Sequence, residues 1–287
     1  MNLQDCLKNA QKEAFAIGQF NFSTLSQLRG IIEAAKQMKS PVILGTSEGE
    51  SKFLGLKQIV NLRDFFRRET GLPIFLNLDH GKSFGYLKIA CDLGYDAVHF
   101  DGSKMPLEEN IEVTKKVLKY AEKSGALVEG EVGIIGNEAS KIYKENFKIR
   151  PGDLTKPEEA ERYINETGVN SLAVSIGNLH GMGINKENPK LYLEKLSEIK
   201  KRAKDTFLVL HGGSGINEKD IKEAIKIGIV KVNINTELRL AFTKTLREAL
   251  NKNLEEITPY KYLPNVIMAV QKVVKEKIEL FGSDNKI

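Results

Sequence analysis

Short runs of apolar, often β-branched residues alternate along the chain with longer stretches in which apolar positions recur every three or four residues. The short runs are typical of buried strands, and the longer stretches are typical of amphipathic helices. Eight strands are predicted, at residues 17–22, 41–47, 73–80, 97–102, 127–133, 171–177, 207–211 and 230–235. After the last strand, residues 237–250 and 262–281 have helical patterns.

This alternation predicts an α/β fold, a single (β/α)8 TIM barrel with an additional C-terminal helix. No Pro/Ser-rich linker or low-complexity tract interrupts the pattern, so residues 1–287 are predicted to form one domain. An open, doubly wound parallel sheet is the alternative architecture. The polar stretch 136–153 is too long for an ordinary turn, and such loops are often lids.

Composition narrows the class of protein. Hydrophobic residues make up 41% and charged residues 28%, which is typical of a globular protein. No apolar stretch approaches the roughly 18 residues that cross a bilayer, and the two cysteines have no CxxC spacing. We therefore expect a cytoplasmic protein without a membrane partner. The net charge of +5 suits anionic small molecules, while lysines interleaved with glutamates argue against nucleic-acid binding.

Polar side chains follow almost every predicted strand. In a parallel barrel the carboxyl ends of the strands form the active-site rim. The polar residues at these ends are Asn21, Ser47, Asp79, His80, Asp101, Glu129, Glu131, Asn178, His180, His211, Asn233, Asn235 and Thr236. The sequence therefore predicts one polar rim that carries the chemistry.

Three of the four histidines, His80, His180 and His211, stand at or just beyond strand ends. Three imidazoles and one open position are a common arrangement for catalytic zinc. His99 lies one layer deeper in the barrel, two residues before Asp101, and is interpreted as a core residue.

Three acidic residues accompany these histidines: Asp101, Glu129 and Glu131. They could hold a second divalent ion or orient the metal-binding imidazoles. The alternative is that they only keep the rim soluble.

Two loops predict a phosphate site. Residues 211–215 read His-Gly-Gly-Ser-Gly, and residues 233–236 follow the eighth strand as Asn-Ile-Asn-Thr. Glycines let backbone amides approach an anion, and the loops after strands seven and eight commonly hold phosphate in these barrels.

Six ordered segments resemble the motifs of class II metal-dependent ketose-bisphosphate aldolases, and the resemblance extends from residue 18 to residue 283. The segments are Leu78-Asp79-His80-Gly81, Asp101-Gly102-Ser103, Glu129-Gly130-Glu131-Val132-Gly133, Gly177-Asn178-Leu179-His180-Gly181, His211-Gly212-Gly213-Ser214-Gly215 and Val232-Asn233-Ile234-Asn235-Thr236.

The resemblance implies a zinc barrel, usually a homodimer or homotetramer. Such an enzyme reversibly cleaves fructose 1,6-bisphosphate into dihydroxyacetone phosphate and glyceraldehyde 3-phosphate through a zinc-stabilised enediolate. His80, His180 and His211 match the zinc ligands, and Asp79 matches the acid/base at C4. Asp101 and Glu131 match residues that hold the metal in an alternative, buried position.

The resemblance also implies substrate contacts. The positions that match the dihydroxyacetone phosphate site are Gly181, Gly212, Ser214, Asn233, Asn235 and Thr236. A monovalent cation is common near that phosphate. Asn21 and Ser47 match positions at the distal end of the sugar.

The chain departs from the family pattern in three places. Glu138 is the candidate base for the C3 proton on loop 136–153, but it requires a shifted alignment. The lysine that often follows the sixth strand is displaced to Lys186. No arginine follows Arg247, so Lys186, Lys261 or a partner chain is predicted to contact the distal phosphate.

Several alternatives remain open at this point. A tagatose-bisphosphate aldolase, or another ketose-phosphate aldolase, would share these motifs. A non-catalytic barrel that binds sugar phosphates would be expected to lack Asp79 or a histidine, and all are present. Nucleic-acid binding through surface lysines is a third class, which a steep salt dependence would reveal.

Overall fold

Eight parallel strands close into a barrel in the computed structural model, which describes residues 1–136, 142–143, 149–183 and 188–287. The order around the barrel is β1-β10-β9-β7-β5-β4-β3-β2. The barrel strands are β1 Ile17–Asn21, β2 Val42–Ser47, β3 Ile74–Gly81, β4 Ala97–Phe100, β5 Leu127–Val132, β7 Ser171–Val174, β9 Phe207–Leu210 and β10 Ile229–Ile234. The predicted TIM barrel is confirmed.

Helices surround the barrel and follow its strands. They are α1 Leu3–Glu13, α2 Leu25–Met38, α3 Glu48–Leu54, α4 Leu56–Thr70, α5 Phe84–Asp92, α6 Leu107–Ala121, α7 Pro157–Thr167, α8 Leu193–Arg202, α9 Glu218–Ile227, α10 Thr236–Lys252 and α11 Pro259–Phe281. The predicted C-terminal helix is α11, which packs on α2 and α10. The apolar stripes of these helices bury against the outward-facing strand residues and form the main core.

The helix α1 is absent from the predicted elements. It packs Leu3, Leu7 and Ala10 against a second apolar cluster that includes Phe75 and Phe207, near the amino ends of the strands. The Asn2 side chain caps its first turn by accepting from the Asp5 backbone N–H at 2.8 Å. Because α1 covers the end of the barrel opposite the predicted rim, the rim stays open.

Two short strands connect the loops that follow β5 and β7. In the strands β6 Ile142–Tyr143 and β8 Met182–Gly183, Ile142 pairs with Met182 in parallel register. The Tyr143 hydroxyl donates to the His180 carbonyl oxygen at 3.0 Å. Glu138 of the predicted lid and Lys186 lie outside the described residues.

Among the described residues, no helix combines the length and the apolar character that crossing a membrane requires.

Candidate active site

The end of β3 presents two adjacent functional side chains on the same side. In a regular strand Asp79 and His80 would face opposite ways. His80 has a φ of 51°, in the left-handed region that residues with a Cβ rarely adopt. The register between β3 and β4 also shifts between Leu78 and Gly81. As a result, Asp79 and His80 both line the cavity at the open rim.

Asp79 is held by two asparagine amides. Asn21 Nδ2 donates to Oδ2 at 2.9 Å, and Asn233 Nδ2 donates to Oδ1 at 3.1 Å. Burial alone would raise the pKa of Asp79, but the nearby imidazoles of His80 and His211 lower it well below its usual range. The Asp79 carboxylate is therefore ionised and fixed in orientation.

His80 and His211 direct one ring nitrogen at each other and the other at a carboxylate. His80 Nδ1 lies 3.2 Å from Asp101 Oδ2, and His211 Nε2 lies 2.7 Å from Glu129 Oε1. The remaining nitrogens, His80 Nε2 and His211 Nδ1, are 3.1 Å apart. Two nitrogens bound to one tetrahedral zinc at about 2.0–2.1 Å lie roughly 3.3 Å apart. The two rings are within hydrogen-bond distance of each other, and this distance is also close to the spacing of two ligands of one metal ion, with each ring oriented by an acid.

His180 completes the group of three rim histidines. Its ring centroid lies 4.7 Å from that of His80 and 6.0 Å from that of His211. Burial first, and then the charges of the two neighbouring histidines, lower the pKa of His180 well below its usual value. Burial also lowers the pKa of His211. A lowered pKa favours the neutral imidazole, which is the form that binds metals.

The acids favour a positive charge at His80. Burial lowers the pKa of His80, but Asp79 and Asp101 raise it to about 10. Potential ligand atoms within 4.8 Å of one another form two groups among the described residues. The groups are Asp79, His80, His99 and His211, and His80, Asp101 and Glu131. His80 belongs to both, while His180 belongs to neither.

His99 is fully buried, but it is part of the polar cluster rather than of an apolar core. Its Nδ1 accepts from the His80 backbone N–H at 3.1 Å. Its Nε2 lies 3.2 Å from Glu131 Oε2, without the angle of a hydrogen bond, so both buried atoms lack a hydrogen-bond partner in the described structure. A buried carboxylate oxygen without a donor is costly, and a cation at the second group would satisfy it.

A buried lysine lies behind His211. Lys231 Nζ lies 2.6 Å from Glu129 Oε2, and both side chains are at least 95% buried. The charge of Lys231 stabilises the Glu129 carboxylate, whose other oxygen accepts from His211. Sequence reasoning missed Lys231. The signal was its position two residues before Asn233 on β10, which places both side chains on the inner face of the barrel.

The predicted phosphate loops lie side by side. Gly213 N donates to Asn233 O at 3.0 Å, and Asn188 Nδ2 donates to Ser214 O at 2.8 Å. Asn188 Nδ2 also lies 3.3 Å from Gly181 O. Gly212 has a φ of 61°. The predicted substrate residues Gly181, Gly212, Ser214, Asn233, Asn235 and Thr236 therefore share one side of the rim.

The cavity at the rim has a volume of about 310 Å³. Its lining includes Ser47, Asp79, His80, Lys82, Asp101, Lys104, Glu131, His180, Asn235 and Arg239. Arg239, in the first turns of α10, is an arginine that sequence reasoning missed. Lys261, predicted as a distal contact, instead pairs with Glu256 at 3.1 Å and is not among the cavity-lining residues.

Comparisons with known proteins agree with this geometry. Residues 1–286 match the family model described as "Fructose-bisphosphate aldolase class-II". A fructose-bisphosphate aldolase of Staphylococcus aureus is 36% identical, over 100% of this chain and 98% of the relative. A sulfofructosephosphate aldolase of Alkalicoccus urumqiensis is 38% identical, over 98% of this chain and 96% of the relative.

A solved structure shares the fold. The YdjI aldolase of Escherichia coli K12 superimposes with a TM-score of 0.81 at 30% identity, covering 100% of this chain and 98% of the other. The closed barrel with imidazoles and acids at its open rim, together with these matches, identifies a metal-dependent aldehyde-lyase. The chain belongs to the class II fructose-bisphosphate aldolase family, in which zinc dependence is characteristic.

Proposed function

We propose that residues 1–287 act as one aldolase domain that reversibly cleaves fructose 1,6-bisphosphate into dihydroxyacetone phosphate and glyceraldehyde 3-phosphate. The observation that carries this proposal is the facing pair of imidazole nitrogens, 3.1 Å apart, beside an ionised and doubly fixed Asp79. An aldol cleavage needs an electrophile at the carbonyl and a proton acceptor at the C4 hydroxyl. These side chains supply sites for both.

His80, His180 and His211 would hold a zinc ion, because three imidazoles suit a borderline-soft divalent metal. When bound, the metal supplies a Lewis acid at the substrate carbonyl. Asp101 and Glu131, which form the second ligand group with His80, would hold the alternative, buried position or a second divalent ion.

Asp79 would accept the C4 hydroxyl proton in cleavage and return it in condensation. It is ionised at neutral pH and so has an oxygen free of a proton, and the amides of Asn21 and Asn233 aim its oxygens. Glu138 stays the predicted base for the C3 proton, and it lies outside the described residues.

The dihydroxyacetone phosphate half would bind along β10 and the loops after β7 and β9. The side-chain amide oxygens of Asn233 and Asn235 are buried and lack hydrogen-bond partners among the described residues. Buried polar atoms usually have a partner, so these two oxygens are evidence for a polar ligand there. Gly181, Gly212, Ser214 and Thr236 complete the predicted set. A monovalent cation near the phosphate would suit such oxygens. Asn21 and Ser47 would contact the distal half.

A coupled assay tests this proposal. Fructose and tagatose 1,6-bisphosphates are supplied side by side, with the enzyme before chelation, after chelation and after zinc is restored. We expect cleavage of the fructose substrate that chelation abolishes and zinc restores. Full activity in a verified metal-free preparation would contradict the metal assignment, and exclusive cleavage of tagatose bisphosphate would replace the substrate.

One of the relatives suggests a second candidate substrate. One of them is a sulfofructosephosphate aldolase that is 38% identical to this chain. A ketose phosphate with another distal group is therefore the second candidate substrate. It can be tested in the same assay, beside fructose and tagatose 1,6-bisphosphates.

An oligomer is supported by exposed apolar side chains around α10 and α11. Leu254 is 82% exposed, Ile257 85% and Tyr260 76%. Apolar side chains clustered on a surface commonly mark an interface. We propose a homodimer or homotetramer, and light scattering after gel filtration measures the oligomeric state directly.

We also propose a cytoplasmic location. The thiols of Cys6 and Cys91 are free and buried, which suits a reducing compartment.

A further inference from the structure

A hydrogen-bonded chain connects the outer rim to Asp79. Arg239 Nη2 binds Glu50 Oε1 in a short contact. Glu50 Oε2 accepts from Asn21 Nδ2 at 3.0 Å and from the Ser47 backbone N–H at 2.8 Å. Asn21 Nδ2 then lies 2.9 Å from Asp79 Oδ2. Glu50 therefore lies behind Ser47 and Arg239, which line the cavity, and Ser47 is predicted to contact the distal half of the sugar.

Glu50 is a buried carboxylate next to a binding cavity. Only 6% of the Glu50 side chain is exposed, whereas 37% of the Arg239 side chain is exposed. Arg239 lines the cavity. A buried carboxylate is tolerated when it is paired with a cation. The pairing also acts in the other direction, because Glu50 offsets the positive charge that Arg239 presents to a ligand.

The charge of Glu50 acts on any group that Arg239 contacts. Arg239 lines the cavity, and the Glu50 carboxylate is in direct contact with its guanidinium. A phosphate monoester carries nearly two negative charges at neutral pH, while a sulfonate carries one and a hydroxyl none. The Glu50 carboxylate therefore opposes the binding of a phosphate more than that of a sulfonate or a hydroxyl, and it lowers the preference for a phosphate.

We propose that Glu50 is a specificity-determining residue: through its contact with Arg239 it reduces the preference for a distal phosphate and admits aldehydes with a sulfonate or an uncharged end. This inference rests on the proposed aldolase function and deepens it. It concerns the aldehyde half of the substrate only, because the dihydroxyacetone phosphate half binds along β10 and the neighbouring loops.

The test compares acceptors in the condensation direction, with dihydroxyacetone phosphate as donor. The ratio of kcat/KM for glyceraldehyde 3-phosphate to that for glyceraldehyde is measured for the wild-type enzyme and for Glu50→Gln. Glutamine keeps the size of the side chain and removes its charge. We expect the ratio to rise about tenfold, since one charge a few ångströms from a phosphate is removed. The aldehyde in which a sulfonate replaces the phosphate should respond less. A ratio within threefold of the wild-type ratio would overturn the proposal.

Two further variants locate the effect. Arg239→Gln should lower the ratio of the two kcat/KM values. Adding Glu50→Gln to Arg239→Gln should not raise that ratio, because the effect of Glu50 acts through Arg239. Glu48→Gln removes another rim carboxylate but leaves the contact between Glu50 and Arg239 in place, so its effect should be smaller. An equal rise in Glu48→Gln would show that Glu50 has no special role.

A binding measurement separates this proposal from the proposed function. Calorimetric titration with inorganic phosphate requires no turnover, and saturating dihydroxyacetone phosphate occupies the other phosphate site during the titration. Glu50→Gln should then bind inorganic phosphate several-fold more tightly than the wild-type enzyme. If the wild-type enzyme forms no ketose phosphate but the variant binds phosphate more tightly, the proposed function fails and the role of Glu50 stands. Unchanged phosphate affinity together with an unchanged acceptor ratio would overturn the role of Glu50 alone.

Discussion

Asp79 and His80 show how one backbone angle decides what two neighbouring residues can do. The left-handed φ of His80 turns the end of β3, so the proposed acid/base and a proposed metal ligand share one cavity. Residues with a Cβ pay about 1–3 kcal/mol for such conformations, which persist where the surrounding structure enforces them. Here the His80 backbone N–H donates to His99 Nδ1 at 3.1 Å, which fixes the turn.

Asp79→Ala should reduce turnover by about 10²-fold or more, the usual contribution of a positioned proton carrier. Steady-state kinetics with the proposed substrate measures this. Metal content should stay near that of the wild-type enzyme, because the three imidazoles are unchanged, and elemental analysis serves as the control. Wild-type turnover in this variant would remove Asp79 from the mechanism.

Lys231 reaches the proposed metal site only through Glu129. Its charge holds the Glu129 carboxylate, which orients His211 through a 2.7 Å contact. Lys231→Met should lower metal affinity by about 10- to 100-fold, the usual effect of losing a group that orients a ligand. Competition with a chromophoric chelator measures the affinity.

Lys226→Met is the matched control for Lys231→Met, because Lys226 is exposed and pairs with Glu223 on α9. The control should bind metal like the wild-type enzyme. Equal affinities in all three proteins would show that the contact between Lys231 and Glu129 only stabilises the fold.

At the scale of elements, the loops after β7 and β9 support each other at the rim. Gly212 has a φ of 61°, and a Cβ at this position would lie 2.1 Å from the Leu179 carbonyl oxygen. The loop that carries His180 therefore packs directly on the predicted phosphate loop, and glycine is required at the contact.

Gly212→Ala should lower the free energy of unfolding by about 1–3 kcal/mol, from backbone strain and the displaced contact. It should also raise the KM for dihydroxyacetone phosphate. Urea denaturation and condensation kinetics measure the two effects. Gly85→Ala is the control, because a Cβ there meets no atom within 4 Å. Unchanged stability of Gly212→Ala would contradict this packing.

At the scale of the whole molecule, the barrel brings acids and imidazoles from five strands to one buried place. The cluster contains His80 from β3, His99 from β4, Glu129 and Glu131 from β5, His211 after β9 and Lys231 from β10. Unpaired buried charges destabilise a fold. A metal that binds there should therefore stabilise the entire barrel and not only the rim.

Removing the metal should lower Tm by several degrees, because a ligand at about 1,000 times its Kd contributes about 4 kcal/mol. Scanning calorimetry before and after chelation measures the difference. Zinc should restore Tm. Magnesium should not, since it prefers oxygen ligands in an octahedral arrangement. An identical Tm in the chelated and zinc-loaded proteins would contradict a structural contribution of the metal.

The sequence alone determined the barrel and the position of its rim. Strand and helix periodicity are local properties, and the carboxyl ends of parallel strands meet on one side in every such barrel. This is why the polar residues that end each strand, such as Asp79, His211 and Asn233, were predicted to lie together before any contact was known. The helix α1 was missed although its sequence carries a local signal, because Leu3, Cys6, Leu7 and Ala10 follow helical spacing after the capping residue Asn2.

Only the tertiary structure decided which rim residues pair with which. Glu129 and Lys231 are 102 residues apart, and Glu50 and Arg239 are 189 residues apart. Along the chain, Glu50 stands three residues after Ser47, the spacing of a capping box, and Lys231 is one charge in an apolar strand. Closing the barrel removes these charges from water, and burial makes each require an opposite charge. Those partners are set by the closure of the barrel, which no local pattern encodes.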